Sequence, residues 1–280
     1  MTVRKQNFVA IQGEQGSFSH SAAQKLLGKE IEAVPCPTFK EVFQAVRDGR
    51  VGHAVIPIEN TLHGSILENY DNLLHYGFPI RGETSVRISH QLIAMPGTSL
   101  RQVRQAYSHP VALNQCRLFF ERNPRIVATS FYDTAGSVKM LQEQKLEGSA
   151  AIASEAAAGI YGGVILKRNL EDNRQNFTRF FLLTKQKAAI SGANAPWKTS
   201  IVFSTSNSPG ALFKVMACFA LRDLSLTKIG SRPLPGKPWE YLFYVDLLGC
   251  DRDDAVRSAL RNLAETAQFS KVLGSYRPTT

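Results

Sequence analysis

Three short segments place polar and ionisable side chains at the ends of apolar, β-branched runs, where open α/β sheets put their ligand sites. In the first, Pro57, Ile58, Glu59, Asn60 and Thr61 are followed by Gly64 and Ser65, so an acid and an amide stand directly after an apolar strand. The second is Ser108, His109 and Pro110, with Gln115 and Cys116 on the helix that follows. In the third, Asn176, Phe177, Thr178, Arg179, Phe180 and Phe181, a polar Thr and Arg open an apolar strand. Each segment has a plainer reading. Asn60 alone is an ordinary turn residue, a His before Pro is more often a loop residue than a catalyst, and an Arg such as Arg179 is usually a surface charge. A fourth segment, Gly13 to Gly16 ahead of Ser17, could hold a carboxylate on the open amides at the start of a helix.

Several chemistries lack the residues they need. There is no G-x-x-x-x-G-K-[ST] loop, no G-x-S-x-G elbow and no H-E-x-x-H. Gly13 and Gly16 make only G-x-x-G, and the next strand ends in Val34 and Pro35 rather than in an acidic ribose ligand. Cys36, Cys116, Cys218 and Cys250 are scattered, without C-x-x-C pairing or a neighbouring His at ligand spacing, which predicts free thiols in a reducing compartment and no metal. The formal charge is +10, but Lys and Arg are dispersed, so a basic solvated surface with a mild pull on small anions is expected rather than a nucleic-acid partner. The first eight residues lack an apolar leader, and no run approaches the roughly 20 apolar residues of a spanning helix. The expectation is a cytoplasmic protein that acts on a small molecule, without nucleic acid or membrane.

These segments must be held by a scaffold, and the chain supplies one. At 280 residues it is long enough for two compact units. From Phe8 to about Thr184 short β-branched runs alternate with amphipathic helical stretches, the pattern of an α/β protein with a mostly parallel sheet. Strands are expected at Phe8–Gln12, Ile31–Val34, His53–Ile58, Val86–Met95, Gln105–Tyr107, Ile126–Phe131, Ala150–Ala153 and Arg179–Thr184. Helices are expected after Ser17 or Ser19, after Thr38, over Ala112–Arg122 and after Asp133. That is too many βα units for one small sheet with a single switch point, so two lobes and a cleft are expected. Near Lys185–Pro196 the composition becomes that of a linker. Beyond it the order is strand, helix, two strands, helix, strand, the βαββαβ ferredoxin-like plan.

Taken together, these segments resemble prephenate dehydratase. The matches are P-I-E-N-T-x-x-G-S at Pro57–Ser65, S-H-P-x-A-L-x-Q-C at Ser108–Cys116, D-T-A-G-S at Asp133–Ser137 and N-x-T-R-F at Asn176–Phe180. S-P-G-A-L at Ser208–Leu212 and L-T-K-I-x-S-R-P at Leu226–Pro233 resemble the ACT domain fused to these enzymes. The resemblance implies a two-lobed catalytic region like type II periplasmic binding proteins over 1–186, with a second lobe at about 86–170, a linker at 187–196 and an ACT domain over 197–280. It also implies a homodimer or homotetramer, inhibition by L-phenylalanine, and no cofactor.

The implied reaction turns prephenate into phenylpyruvate with loss of water and carbon dioxide, so a departing hydroxide needs help. Thr178 matches the family's essential threonine and would stabilise that oxygen by a hydrogen bond, since its hydroxyl is too weak an acid to give up a proton outright. Arg179 suits a substrate carboxylate. Asn60, Thr61 and Ser65, with amides near Gly16 and Ser17, would position the other end, and Asn176, Phe180 and His109 would line the cleft. Glu59 is either an acid of raised pKa or the structural partner of a basic group. For the effector, Asn207, Pro209, Gly210, Ala211 and Leu212 form a turn into a helix whose free N–H groups face a carboxylate, and Ser231, Arg232 and Pro233 form the second segment. Gly230 stands where the family usually has Glu. Two rival readings remain: arogenate as the substrate, and a two-lobed binding protein without catalysis.

Overall fold

The computed structural model describes residues 7–185, 196–234 and 236–279. It divides into two compact units, one made of the chain up to Asn69 together with Thr84–Phe180, the other of Tyr70–Glu83 together with the chain from Phe181 onward. Of the linker expected at 187–196, residues 187–195 lie outside the described residues. No helix among the described residues is long and apolar enough to cross a membrane.

In chain order the first elements are β1 (Phe8–Gln12), α1 (Phe18–Leu27), β2 (Glu32–Cys36), α2 (Phe39–Arg47), β3 (His53–Asn60), β4 (Gly64–Ser65), α3 (Leu67–Tyr76) and β5 (Ile80–Arg87). There follow β6 (Gln91–Ala94), β7 (Gln105–Ser108), α4 (Pro110–Asn114), α5 (Arg117–Glu121), β8 (Val127–Ser130), α6 (Thr134–Gln144), β9 (Ser149–Ala153), α7 (Glu155–Tyr161), β10 (Val164–Lys167) and β11 (Phe177–Thr184). The last are β12 (Lys198–Ser204), α8 (Ala211–Ala220), β13 (Leu226–Pro233), β14 (Tyr241–Leu248), α9 (Asp254–Thr266) and β15 (Phe269–Thr279). The boundary between the units falls inside α3, β5 and β11.

The first unit carries two sheets. In one, β1 pairs in parallel with β2 and with β3, and β11 lies on the other side of β3. Val9, Ala10 and Ile11 of β1 are fully buried, as expected for a parallel strand covered on both faces. Val42, Phe43 and Val46 of α2 recur at helical spacing and are fully buried too. The second sheet has the order β10-β6-β9-β7-β8, with β7 parallel to β8 and β9 and with β6 antiparallel to β9 and β10. Its core gathers Leu92, Val103, Ala106, Phe119 and Ile152.

Two sequence-based elements are corrected here. The strand expected over 86–95 is two strands, because at Ile88–His90 the chain leaves one sheet for the other, with the Ile88 N–H given to Asn176 O and the His90 N–H to the Glu171 carboxylate. The helix expected over 112–122 is also two. The Asp172 carboxylate accepts the N–H groups of Arg117 and Leu118 and so starts a new helix at that point, a cap no local pattern reveals.

The second unit follows the βαββαβ plan: β12 lies between β14 and β15, and β13 flanks β14, all antiparallel. Helices α8 and α9 cover one face, burying Ile201, Phe203, Val215, Phe219, Val245 and Leu263. The other face mixes polar Ser200 and Asp246 with apolar Val202 and Leu242, and the Tyr70–Glu83 segment supplies partners for the unit's charged and aromatic side chains. Glu83 pairs with Lys198, Asp71 with Arg232, and the Tyr70 ring lies 4.6 Å from that of Tyr244. Gly274 of β15 sits so close to Ile80 that a Cβ would collide with its carbonyl oxygen and lie 2.9 Å from its nitrogen. Gly274→Ala is expected to cost about 1–3 kcal/mol, read as a lower urea midpoint for the transition of this unit.

Candidate active site

The first unit encloses a cavity of about 610 Å³, a size suited to a small organic ligand. Thr178, at the start of β11, reaches its wall together with Phe180, because side chains two apart on a strand share a face. The hydroxyl of Thr178 is held by Asn60, at the end of β3. Asn60 Nδ2 donates to Thr178 Oγ1 at 3.0 Å, to Asn176 Oδ1 at 2.7 Å and to Phe177 O at 3.1 Å. Asn60 Oδ1 accepts the backbone N–H groups of Leu62 and His63 at 2.9 and 3.0 Å. Those two donors fix which end of the amide is oxygen, so Nδ2 must face Thr178. Thr178 Oγ1 therefore accepts from Asn60, which leaves its own O–H to donate into the cavity.

Among the described residues the cavity wall contains no Lys or Arg, so attraction for an anion falls to backbone N–H groups. Ser17, Thr38, His109 and Asp133 all line it, and each is the N-cap of a helix: α1, α2, α4 and α6 respectively. The first residues of α1 (Phe18 and Ser19), of α2 (Phe39) and of α6 (Thr134) are also on the wall. Helix N-termini carry about half a positive charge and offer open N–H groups, so the wall attracts anions without a charged side chain.

Asp133 and Glu68 are the exceptions in sign; Asp133 is the one held in a hydrogen-bond network. Burial pushes its carboxyl above the ordinary range, outweighing the N–H groups of Gly136 (2.8 Å) and Glu14 (3.2 Å) that favour the ionised form. Through Asp133 the second sheet's lobe grips the loop between β1 and α1. Glu14 of that loop also meets Tyr132 and Lys139, and the Ser154 hydroxyl donates to Gly16 O. A Cβ on Gly16, where φ is +84°, would lie 2.7 Å from Ala157 Cα, so only glycine lets the loop seat.

The structure brings some expected site residues to the cavity and not others. Ser17, Asn60, His109, Thr178 and Phe180 line it. Arg179 does not, because strand alternation turns it away from Thr178; its guanidinium lies 3.8 Å from Glu59, which is likewise off the wall. Asn176 is fully buried as the acceptor of Asn60. The Thr61 hydroxyl donates to Gln175 O and accepts from Phe177 N–H, a clamp between the two strands. Ser65 is paired opposite Glu59 in the short β4 ladder. The Gly16 N–H, expected to meet substrate, is given to His20 Nδ1 at 3.0 Å. Residues not singled out as ligands are on the wall: Gln12, Thr38, Glu68, His90, Gln115 and Asp133. Thr38 and Asp133 were legible as caps, and Gln115 and Asp133 lie within the matched segments. His90 falls in a run that reads as uninterrupted strand. Among the described residues no group of three or more His, Cys, Asp or Glu is placed to hold a metal ion.

In the second unit, Asn207 and Pro209 are exposed, and Gly210, with φ of +76°, starts α8 without a side-chain cap, so the amides of Ala211 and Leu212 open that helix. Ser231, Arg232 and Pro233 end β13. Leu242 of β14 pairs with Ser204 on one side and with Arg232 on the other, so both segments lie at one end of the sheet, about 10 Å apart across two strand spacings. A side chain on Gly230 would meet open space. For the cavity, Asn60→Ala would strand the Asn176 oxygen and two backbone N–H groups, and is expected to lower the unfolding free energy of the first unit by about 1–3 kcal/mol, measured by chemical denaturation.

Comparison with known proteins agrees with this geometry. The family model described as prephenate dehydratase matches residues 9–188. A relative from Arabidopsis thaliana, arogenate dehydratase/prephenate dehydratase 2, chloroplastic, is 44% identical over 277 residues, covering 96% of this chain and 72% of that protein. Among solved structures, a prephenate dehydratase from Arthrobacter aurescens in complex with L-Phe superposes with a TM-score of 0.87 at 30% identity, covering 96% of this chain and 89% of the other. GqqA, described as a novel type of quorum quenching acylase, superposes with a TM-score of 0.88 at 30% identity over 97% of this chain and 98% of its own. A family match over residues 9–188, joined to a relative so similar over nearly the whole length, shows that the chain belongs to the prephenate dehydratase family.

Proposed function

We propose that Thr178 is the catalytic group with which this prephenate dehydratase assists loss of the ring hydroxyl. The observation that carries the reading is the Asn60 amide, whose fixed orientation makes Thr178 an acceptor on that side and leaves its O–H to donate to a ligand in the cavity. In the reaction the bond from the ring to its carboxylate breaks, releasing carbon dioxide. Its electron pair enters the ring, the carbon–oxygen bond opposite breaks, and the departing hydroxide takes a proton from solvent to become water. Aromatisation supplies the driving force. The enzyme's part is to hold the dianion and stabilise oxygen charge as it develops. Thr178 O–H does the second, and the Asn60 N–H on its oxygen polarises that hydroxyl without itself meeting substrate. The first-turn amides of α1 and α2, bordered by Ser17 and Thr38, suit the two carboxylates, and Phe180 gives the ring an apolar floor.

A second substrate has an observation of its own. Arogenate carries an ammonium where prephenate has a keto oxygen, and the wall holds two carboxyl groups, Asp133 and Glu68, that could pair with it. Purified prephenate and arogenate are to be followed side by side. Conversion of prephenate to phenylpyruvate is expected, falling about 10²–10⁴-fold in Thr178→Ala, with Thr178→Ser restoring most of it. Asn60→Asp, which turns the donor into an acceptor, is expected to lose activity to a similar degree. Faster turnover of arogenate would make it the substrate. Turnover of neither, with hydrolysis of an acyl amide instead, would move the assignment to the chemistry named for GqqA.

The second unit reads as an ACT domain that binds L-phenylalanine, with the uncapped start of α8 receiving the effector's carboxylate. Its edge strand β13 and the exposed Phe213, Leu221 and Ile229 support assembly into a homodimer or homotetramer. Calorimetry with millimolar L-phenylalanine is expected to give heat and a matching loss of activity. Gly230→Glu, placed in open space where it can meet an ammonium, is expected to tighten binding several-fold. Absence of heat in both proteins would remove the regulatory role.

A further inference from the structure

Within the cavity wall, His90 and Gln115 form a pair that the reaction described above does not use. His90 is 1% exposed, at the point where the chain passes from β5 to β6, and Gln115 is the first of the two residues between α4 and α5. The His90 Nε2 lies 2.8 Å from Gln115 Oε1. The ring is held on other sides as well: Phe18 packs edge-on at 5.6 Å, and the backbone N–H of His90 donates to Glu171 at 2.9 Å, a carboxylate that also binds Arg87. The other ring nitrogen, Nδ1, is buried without a hydrogen-bond partner.

We propose that His90 is a positioning residue: its Nε2–H holds Gln115 Oε1 and so turns the Gln115 NH₂ group into the cavity, as a donor to an acceptor oxygen of the substrate. Two arrangements fit the 2.8 Å contact. If Nε2 carries the proton, His90 donates to Oε1 and the orphaned Nδ1 is only a lone pair. If Nδ1 carries it, Gln115 must be reversed, its oxygen facing the ligand, and a buried N–H is left with no acceptor. Buried orphan N–H groups are rarer than under-satisfied acceptors, so the first arrangement prevails. Burial lowers the pKa of the ring, which keeps it neutral and preserves the distinction between its two nitrogens. The consequence is selective. An amide presenting N–H groups favours a carboxylate or keto oxygen, whereas the reversed amide would favour an ammonium.

This assignment rests on the cavity being the substrate site, and the experiment separates the two claims. Nitrogen-15 NMR of the unliganded wild type, with the His90 signal assigned through His90→Phe, reads the tautomer directly. A protonated Nε2 and bare Nδ1 are expected, and the opposite tautomer overturns the proposal whatever the enzyme turns over. In kinetics with prephenate, His90→Phe is expected to lower kcat/KM about tenfold, mainly through KM, because a ground-state contact is lost. His90→Gln, whose amide nitrogen can stand where Nε2 does, is expected to recover most of the loss. In a Gln115→Leu background, His90→Phe should add less than about twofold, since the two residues act as one unit. Additive losses, or a His90→Gln as poor as His90→Phe, would show that His90 only fills the core. Thermal unfolding of each variant confirms that folded protein is compared. A wild type inactive on both prephenate and arogenate would sink the substrate reading while leaving the tautomer result to judge His90.

Discussion

The arrangement around the cavity depends on one side-chain amide. Asn60 closes the end of β3 against the start of β11, using its nitrogen for three acceptors on one strand and its oxygen for two backbone donors in its own turn. Such a group cannot rotate without stranding buried partners, each costing about 1–3 kcal/mol. It occupies one lone pair of the Thr178 hydroxyl and so narrows the directions left to its O–H. The neighbouring Thr61 clamp and the buried Asn176 have value mainly because they keep that geometry.

The way the protein attracts anions follows from the same economy. A guanidinium in the cavity would bring a flexible charge with its own hydration. The structure instead aims helix starts at it, from both lobes, each already capped by a wall residue, so the field is rigid and in place before ligand arrives. Arg179 belongs to a different balance, with Glu59 on the opposite face of the strands. A donor-rich wall also suits a reaction in which negative charge moves from a carboxylate toward a departing oxygen.

Much of this was legible in the chain. The apolar β1 and the Thr38-capped α2 follow from periodicity and capping alone, and so does the βαββαβ order of the second unit. Polar residues at strand ends pointed to Asn60, His109 and Thr178. What escaped depends on distance along the chain. Asp172 breaks a helix 55 residues earlier in sequence, and Glu171 bends the path at His90 from 81 residues away. Arg179 faces away from the cavity for a local reason, since neighbours on a strand face opposite ways and Thr178 faces it. Gln115 and Asp133 lay inside recognisable segments, but their roles emerge only when helix starts from separate lobes converge.

The seating of Gly16 ties one lobe of the first unit to the other. The loop that carries Ser17 to the wall is fastened to the other lobe by the Ser154 hydroxyl, by Asp133 and by direct contact with Ala157. Separating the lobes at that seam therefore breaks buried hydrogen bonds and exposes apolar surface together. Any opening of the cleft along that seam would carry the cost of those bonds and of that newly wetted surface at once.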